Sequence, residues 1–165
     1  MIELILLRHA KSDWSLAGQP DIERPLNARG QRGAAAIGAW LNAAGLIPDE
    51  VFCSSATRTQ ETVARLGLGL EHQAQYTRAL YHAEPEGILD VLAGATASRV
   101  LLVAHNPGIA ELAHRLADVA PSHPRFADYP TAATTVLQFN TDWPKLSRVR
   151  GKVLHFVTPK DLIAD

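Results

Sequence analysis

Two separate apolar runs that each end in a histidine constrain this chain more than any other feature. The first is Ile5-Leu6-Leu7-Arg8-His9, and the second is Val100-Leu101-Leu102-Val103-Ala104-His105. Runs this apolar, rich in Leu and Val, read as strands covered on both faces, the environment of a parallel sheet flanked by helices. In open α/β sheets the ligand crevice lies at the carboxyl ends of the strands. As parallel neighbours, the two runs would deliver His9 and His105 side by side at that edge. Arg8 and Arg58 are the other expected members of the cluster. Two imidazoles and two guanidiniums converging on one point suit a phosphoryl group.

The rest of the chain alternates strand and helix patterns. Lys11 to Arg24 contains Gly18, Pro20 and Asp21 and reads as a loop. A long helix is expected from Asn27, a plausible N-cap, to Ala44, with Ile37, Trp40, Leu41 and Ala44 at helical spacing. Gly45 and Pro48 punctuate its end. Glu50 to Ser54 reads as a short strand, and Thr57 to Leu66 as a helix capped by Ser54 or Ser55 and stopped by Gly67 and Gly69. Gln75 to Leu80 reads as a strand, Pro85 to Leu92 as a helix, and Arg99 to His105 as the second histidine-ended strand. Ile109, Leu112, Ala113 and Leu116 mark an amphipathic helix, and Pro121 to Pro130 a proline-rich loop. Thr134 to Asn140 and Lys152 to Thr158 read as two last strands, joined through Trp143-Pro144 as a hairpin with at least one antiparallel strand. The sum is an α/β domain in three layers, a mostly parallel sheet with helices on both faces.

Composition narrows the function classes. A chain of 165 residues fits a single domain. Its formal net charge of -1 supplies no global field toward nucleic acid or membrane, so neither is expected as a partner and any anion specificity is local. Cys53, the lone cysteine, follows Val51-Phe52 and reads as a buried strand thiol, consistent with a reducing compartment. The first residues show neither a basic segment nor a signal-like apolar stretch, and Ile2 to Leu7 is too short to span a bilayer. The expectation is a soluble, cytoplasmic protein. No HExxH, paired CxxC or Gly-rich P-loop occurs, so no metal or other cofactor is expected.

Three junctions carry the chemistry. At the first, His9 reads as a nucleophile toward phosphorus, because a neutral imidazole is available near pH 7; the plainer reading is a strand-end histidine bonded to a loop. At the second, Ser54 to Thr62 leads from strand to helix and places Arg58 in the first turn. A cation there opposes the helix dipole, so it calls for a reason. An oxyanion clamp is one reason, and an ion pair with Glu61 is another. At the third, Ala104-His105-Asn106-Pro107-Gly108 leads into a helix, with Asn106 as a cap and Pro107 at the first helical position. There His105 would neutralise phosphoryl oxygens as a cation or donate to one as a neutral ring. His72, His82, His114, His123 and His155 lack such framing and read as surface or structural. Gly30, Gly33 and Gly38 fall inside the long helix and read as close-packing positions.

Together these pieces resemble the histidine phosphatase superfamily, the phosphoglycerate mutase-like fold. Leu7 to Ser12 resembles its RHG/RHA signature, Ser54 to Thr62 its arginine-bearing motif, and Ala104 to Gly108 its second-histidine motif. Arg24-Pro25-Leu26, Arg29-Gly30 and Tyr129 to Ala133 also match. The RHAKSxW and AHNPG forms and the short chain look like the SixA-type phosphohistidine phosphatase branch. The resemblance implies one histidine phosphatase domain over residues 1–165, working without a metal. It implies that His9 takes the phosphoryl group, that Arg8, Arg58 and His105 bind the phosphate, and that water releases it. Many relatives use a carboxylic acid to protonate the leaving oxygen. Here Leu80 to Glu86 offers no obvious match beyond Glu84, which reads equally as a helix-starting acid. A missing acid favours phosphohistidine on a protein as substrate. The alternatives are a small-molecule phosphomonoesterase or mutase on the same fold, and a non-catalytic phosphate-binding module.

Overall fold

The two histidine-ended runs are central parallel neighbours. In the structure, a computed structural model that describes residues 1–163, the strands are β1 (Ile2–Arg8), β2 (Glu50–Ser54), β3 (Gln75–Thr77), β4 (Arg99–Ala104), β5 (Thr134–Phe139) and β6 (Lys152–Val157). They form one sheet in the order β3-β2-β4-β1-β5-β6. β1 and β4 pair in parallel with Leu6 opposite Leu102 and Arg8 opposite Ala104. The pairings of β2 with β4 and with β3 are also parallel. β5 runs antiparallel to β1 and to β6, as the hairpin reading anticipates.

Alternation along β1 explains its unbroken apolar run. Leu4 and Leu6 pack on one face with Ile88, Leu92, Ile109 and Leu112 from helices α3 (Pro85–Leu92) and α4 (Gly108–Leu116). Ile5 and Leu7 pack on the other with Ile37, Leu41 and Val63 from α1 (Ala28–Ala43) and α2 (Thr57–Arg65). Side chains on a strand alternate between faces, and here both faces are covered, so every position from Leu4 to Leu7 is apolar. The last helix, the single turn α5 (Pro159–Leu162), lies against α1. Among the described residues no helix is long and apolar enough to cross a membrane.

Several local expectations change on folding. Asn27 caps α1 as expected, its side chain accepting from Gly30 N–H. Neither Ser54 nor Ser55 is the N-cap of α2; Ala56 holds that place without a side-chain cap. Asn106 does not cap α4 either, because Pro107 occupies the cap position. β3 stops at Thr77 rather than Leu80, where the Thr77 hydroxyl accepts from Ala79 N–H and starts a 3₁₀ turn over Arg78–Leu80. Cys53 is fully buried, and burial pushes its thiol up to about 12, which fits the structural reading.

The glycines of α1 mark close approaches of backbone to backbone. A Cβ on Gly38 would stand 1.8 Å from the Leu66 carbonyl oxygen at the end of α2, and one on Gly30 would stand 2.0 Å from that of Lys11. Replacing a helical Gly with Ala normally stabilises by about 1 kcal/mol. Here the clash dominates. Gly38→Ala is expected to lower stability by at least about 1–3 kcal/mol, the usual cost of overpacking, read as a lower urea midpoint. A raised midpoint would show that α1 and α2 do not meet this closely.

Candidate functional site

The carboxyl edge of the parallel strands gathers the predicted residues. His9 follows β1 and His105 follows β4, and their ring centroids lie 5.3 Å apart. Arg58, in the first turn of α2, reaches the same place and is only 2% exposed. These side chains line a cleft of about 340 Å³ together with Arg8, Ser12, Trp14, Asp21, Arg24 and His82.

The tautomer of His9 follows from its partner. Nδ1 lies 2.7 Å from the Ala10 carbonyl oxygen, which can only accept, so Nδ1 carries the proton and Nε2 holds the lone pair. The Ala10 N–H is fixed in turn by the Thr62 hydroxyl at 3.0 Å, and that hydroxyl donates to the Arg58 carbonyl at 2.7 Å. One helix thus supplies the arginine and steadies the histidine. His9 is 6% exposed, and burial, reinforced by Arg8, Arg58 and Arg24, brings its pKa down to about 3 against the pull of the Ala10 contact. The ring is neutral at pH 7.

His105 is the opposite tautomer. Arg58 Nη2 donates to its Nδ1 at 3.3 Å, so Nε2 carries the proton and donates to Ser54 Oγ at 2.7 Å. Burial, His9 and Arg58 lower its pKa to about 2. His105 is therefore a neutral ring with both nitrogens engaged, not the cation that would neutralise phosphoryl oxygens directly. Its bond to Ser54 also accounts for the serine leaving the helix cap: the hydroxyl faces the site from the end of β2.

The arginines are only partly satisfied. Arg58 donates from Nη1 to the Asp21 carbonyl at 2.7 Å and from Nη2 to Asp21 Oδ2 at 3.0 Å. Its alternative partner Glu61 instead accepts from Leu26 N–H at 2.8 Å. Arg8 Nη1 donates to the Tyr129 carbonyl at 3.1 Å. Arg24 donates to Ser12 Oγ and to Asp21 Oδ1, and its guanidinium carbon stands 3.5 Å over the Trp14 ring. Yet the Nε atoms of Arg8, Arg24 and Arg58 are all buried without a partner among the described residues. Three guanidiniums lining one cleft with no carboxylate but Asp21 on its described wall fit a site for an anion.

Asp21 is the main residue that the sequence reading misses. Its carboxylate accepts from Arg24, Arg58, Tyr81 Oη and, at 3.3 Å, His82 Nε2. Partial burial would raise its pKa, but the hydrogen bonds from Tyr81, Arg24 and Arg58 prevail and hold it well below the usual carboxylate range. It cannot deliver a proton near neutral pH. His82 is exposed, as its surface reading has it, but it also lines the cleft. The ring stacks 4.1 Å from Tyr81 and 5.3 Å from His105, on a backbone turned to φ 54°. The available signal was position, since the turn after β3 empties at the same edge as β1 and β4. Glu84 is exposed, precedes α3 without a side-chain cap, and is not on the cleft wall. His72 pairs with Glu71, His114 packs on Phe126, His123 bonds Asp161 and His155 meets the edge of Trp40, all outside the cleft.

Known proteins resemble this chain over nearly its whole length. A family model described as histidine phosphatase superfamily (branch 1) matches residues 4–84. An uncharacterized protein of Mycobacterium tuberculosis is 32% identical over 161 residues, covering 93% of this chain and all of the relative. The SixA protein of Nakamurella multipartitia is 30% identical and superposes with a TM-score of 0.83 over 96% of each chain. A protein histidine phosphatase SixA solved with tungstate is 19% identical and shares the fold, with a TM-score of 0.80 over 98% of this chain and all of that one. With relatives matching it nearly end to end and the signature histidines and arginines meeting at one edge of the same sheet, this chain belongs to the histidine phosphatase superfamily, in its SixA-type branch.

Proposed function

We propose that this protein is a phosphatase in which His9 Nε2 takes a phosphoryl group and passes it to water, with phosphohistidine on a protein as the favoured donor. The observation that carries the proposal is the fixed tautomer of His9. A neutral ring whose Nε2 lone pair has no partner among the described residues stands in a cleft lined by the guanidinium-bearing Arg8, Arg24 and Arg58.

In the first step Nε2 attacks phosphorus while the bond to the donor nitrogen breaks, and the donor imidazole leaves with its electron pair. A phosphoimidazole protonated on its other nitrogen leaves as a neutral ring. Arg8 and Arg58 hold the equatorial oxygens, where guanidinium forks match phosphate geometry. A dianion beside His105 Nδ1 favours the charged form of that ring. With the dianion bound, the ring takes a proton from solvent at Nδ1 and keeps it, donating a hydrogen bond from that N–H to a phosphoryl oxygen, while Arg58 Nη2 turns from Nδ1 to the anion. In the second step water attacks the phosphohistidine, releases inorganic phosphate and restores the Nε2 lone pair.

The preference for phosphohistidine rests on the proton donor. An alkoxide leaving group needs one, which is worth about 10²–10⁴-fold. Asp21 is locked as a carboxylate by its hydrogen bonds, and Glu84 lies off the cleft. A second reading, a phosphomonoesterase, is favoured by His82, an exposed imidazole on the cleft wall. Steady-state assays with chelator present separate the two. We expect kcat/KM on a phosphohistidine peptide to exceed that on a phosphoserine peptide by at least about 10²-fold. Equal values would favour the monoesterase, and turnover of neither would remove the phosphatase reading.

A further inference from the structure

We propose that a second, basic cleft beside the reaction site docks an acidic segment of the phosphorylated protein substrate; this rests on the phosphatase reading above. The cleft encloses about 340 Å³ and is lined by Lys11, Arg29, Arg32, Arg125 and Lys160, with no Asp or Glu on its described wall. It shares Lys11 and Thr131 with the phosphate cleft, so the two are continuous. A chain of net charge -1 thus concentrates five of its cations in one hollow next to its nucleophile.

Little inside the protein answers these charges. Arg125 pairs with Asp128 at 2.9 Å, but Lys11, Arg29, Arg32 and Lys160 make no ion pair with a described residue. Asp161, next to Lys160, is committed elsewhere: its carboxylate caps Thr158 N–H at 2.8 Å and lies 2.9 Å from His123 Nε2. Nor does helix energetics place Arg29 and Arg32, because α1 begins without an acidic residue and cations near its start oppose the dipole.

The form of the cleft selects the occupant. Its cations are exposed heads on long stems rather than buried converging donors, unlike the phosphate cleft. Such an array suits carboxylates spaced along a chain better than one small anion. The surfaces between them, Gly33, Ala132, Pro130 and Pro159, leave room for an extended backbone. No aromatic ring lines the cleft as a stacking platform, so a polypeptide fits it better than a single-stranded nucleic acid. A substrate whose phosphohistidine enters the reaction site would lay its flanking acidic residues here.

The test uses the combined variant Arg29→Glu, Arg32→Glu, Lys160→Glu. All three positions are exposed and outside the phosphate cleft, and retained folding is checked by thermal unfolding. On a phosphohistidine peptide flanked by glutamates, KM is expected to rise at least about tenfold with kcat unchanged. On the free amino acid phosphohistidine, kcat/KM should stay within about twofold of the parent. Added salt should raise KM for the acidic peptide in the parent and not in the variant. An unchanged KM for that peptide, or an equal loss on free phosphohistidine, would overturn the proposal. Binding of a fluorescent glutamate-rich peptide lacking phosphate, followed by anisotropy, decides the matter apart from the chemistry: the parent should bind and the variant should not. Failure of the parent to bind, or displacement of the peptide by an equal concentration of a single-stranded oligonucleotide, would also overturn the acidic-segment assignment.

Discussion

Replacing His9 with Ala is expected to lower phosphate release by more than about 10⁴-fold, to the level at which no covalent route operates. The reason is local. His105 presents no free lone pair, because its Nδ1 accepts from Arg58 and its Nε2 donates to Ser54. His82, with Nε2 turned to Asp21, lies on the cleft wall. The fold should persist, since the His9 ring is held by one polar contact and is not part of either apolar core. Arg8, Arg58 and His105 remain in the variant, so inorganic phosphate should still raise its thermal unfolding midpoint. Binding without turnover is the expected pattern. Turnover within about tenfold of the parent would rule out His9 as the nucleophile.

Arg58→Lys should cost about 10²–10³-fold in kcat/KM, most of it in kcat, as when one oriented donor to a transition-state oxyanion is removed. Charge is conserved, so the loss measures geometry. The guanidinium joins the Asp21 carbonyl, the Asp21 carboxylate and His105 Nδ1 from one planar group, and an ammonium is a point charge that cannot span all three. The change also loosens Asp21, whose depressed pKa depends in part on Arg58. Values of kcat and KM both within about threefold of the parent would show that Arg58 serves the fold alone.

What the sequence discloses about this protein follows the physics of each part. β1 and β4 are readable because both faces are covered, which makes Leu4 to Leu7 and Val100 to Ala104 unbroken apolar runs that end at Arg8-His9 and at His105. α1 is readable from its Asn27 cap and its apolar spacing, and the close approach at Gly30 and Gly38 from glycines placed inside a helix. Ser54 and Asn106 mislead because the site takes them from the helix starts: Ser54 accepts from His105, and the Asn106 amide donates to the carbonyls of Asp128 and Tyr129. The loop from Lys11 to Arg24 is opaque for another reason. Ser12, Trp14 and Asp21 have no periodicity to expose them, and their contacts at the cleft, with Arg24, Arg58 and Tyr81, are all long-range or local to the loop. Arg24 shows in the sequence only through the family resemblance of Arg24-Pro25-Leu26. His82 is hidden because β3 is a short edge strand, partly exposed, with no apolar run to point along.

The account stands on a phosphoryl group residing on His9 Nε2 during turnover. The direct measurement is rapid alkaline quench of the enzyme during turnover of a phosphohistidine peptide, followed by mass spectrometric mapping. It should find one phosphoryl group, on the peptide carrying His9, stable in alkali and lost in acid. Turnover with no trapped phosphoenzyme at any quench time, or a phosphoryl group on His105, His82 or a hydroxyl instead, would contradict it.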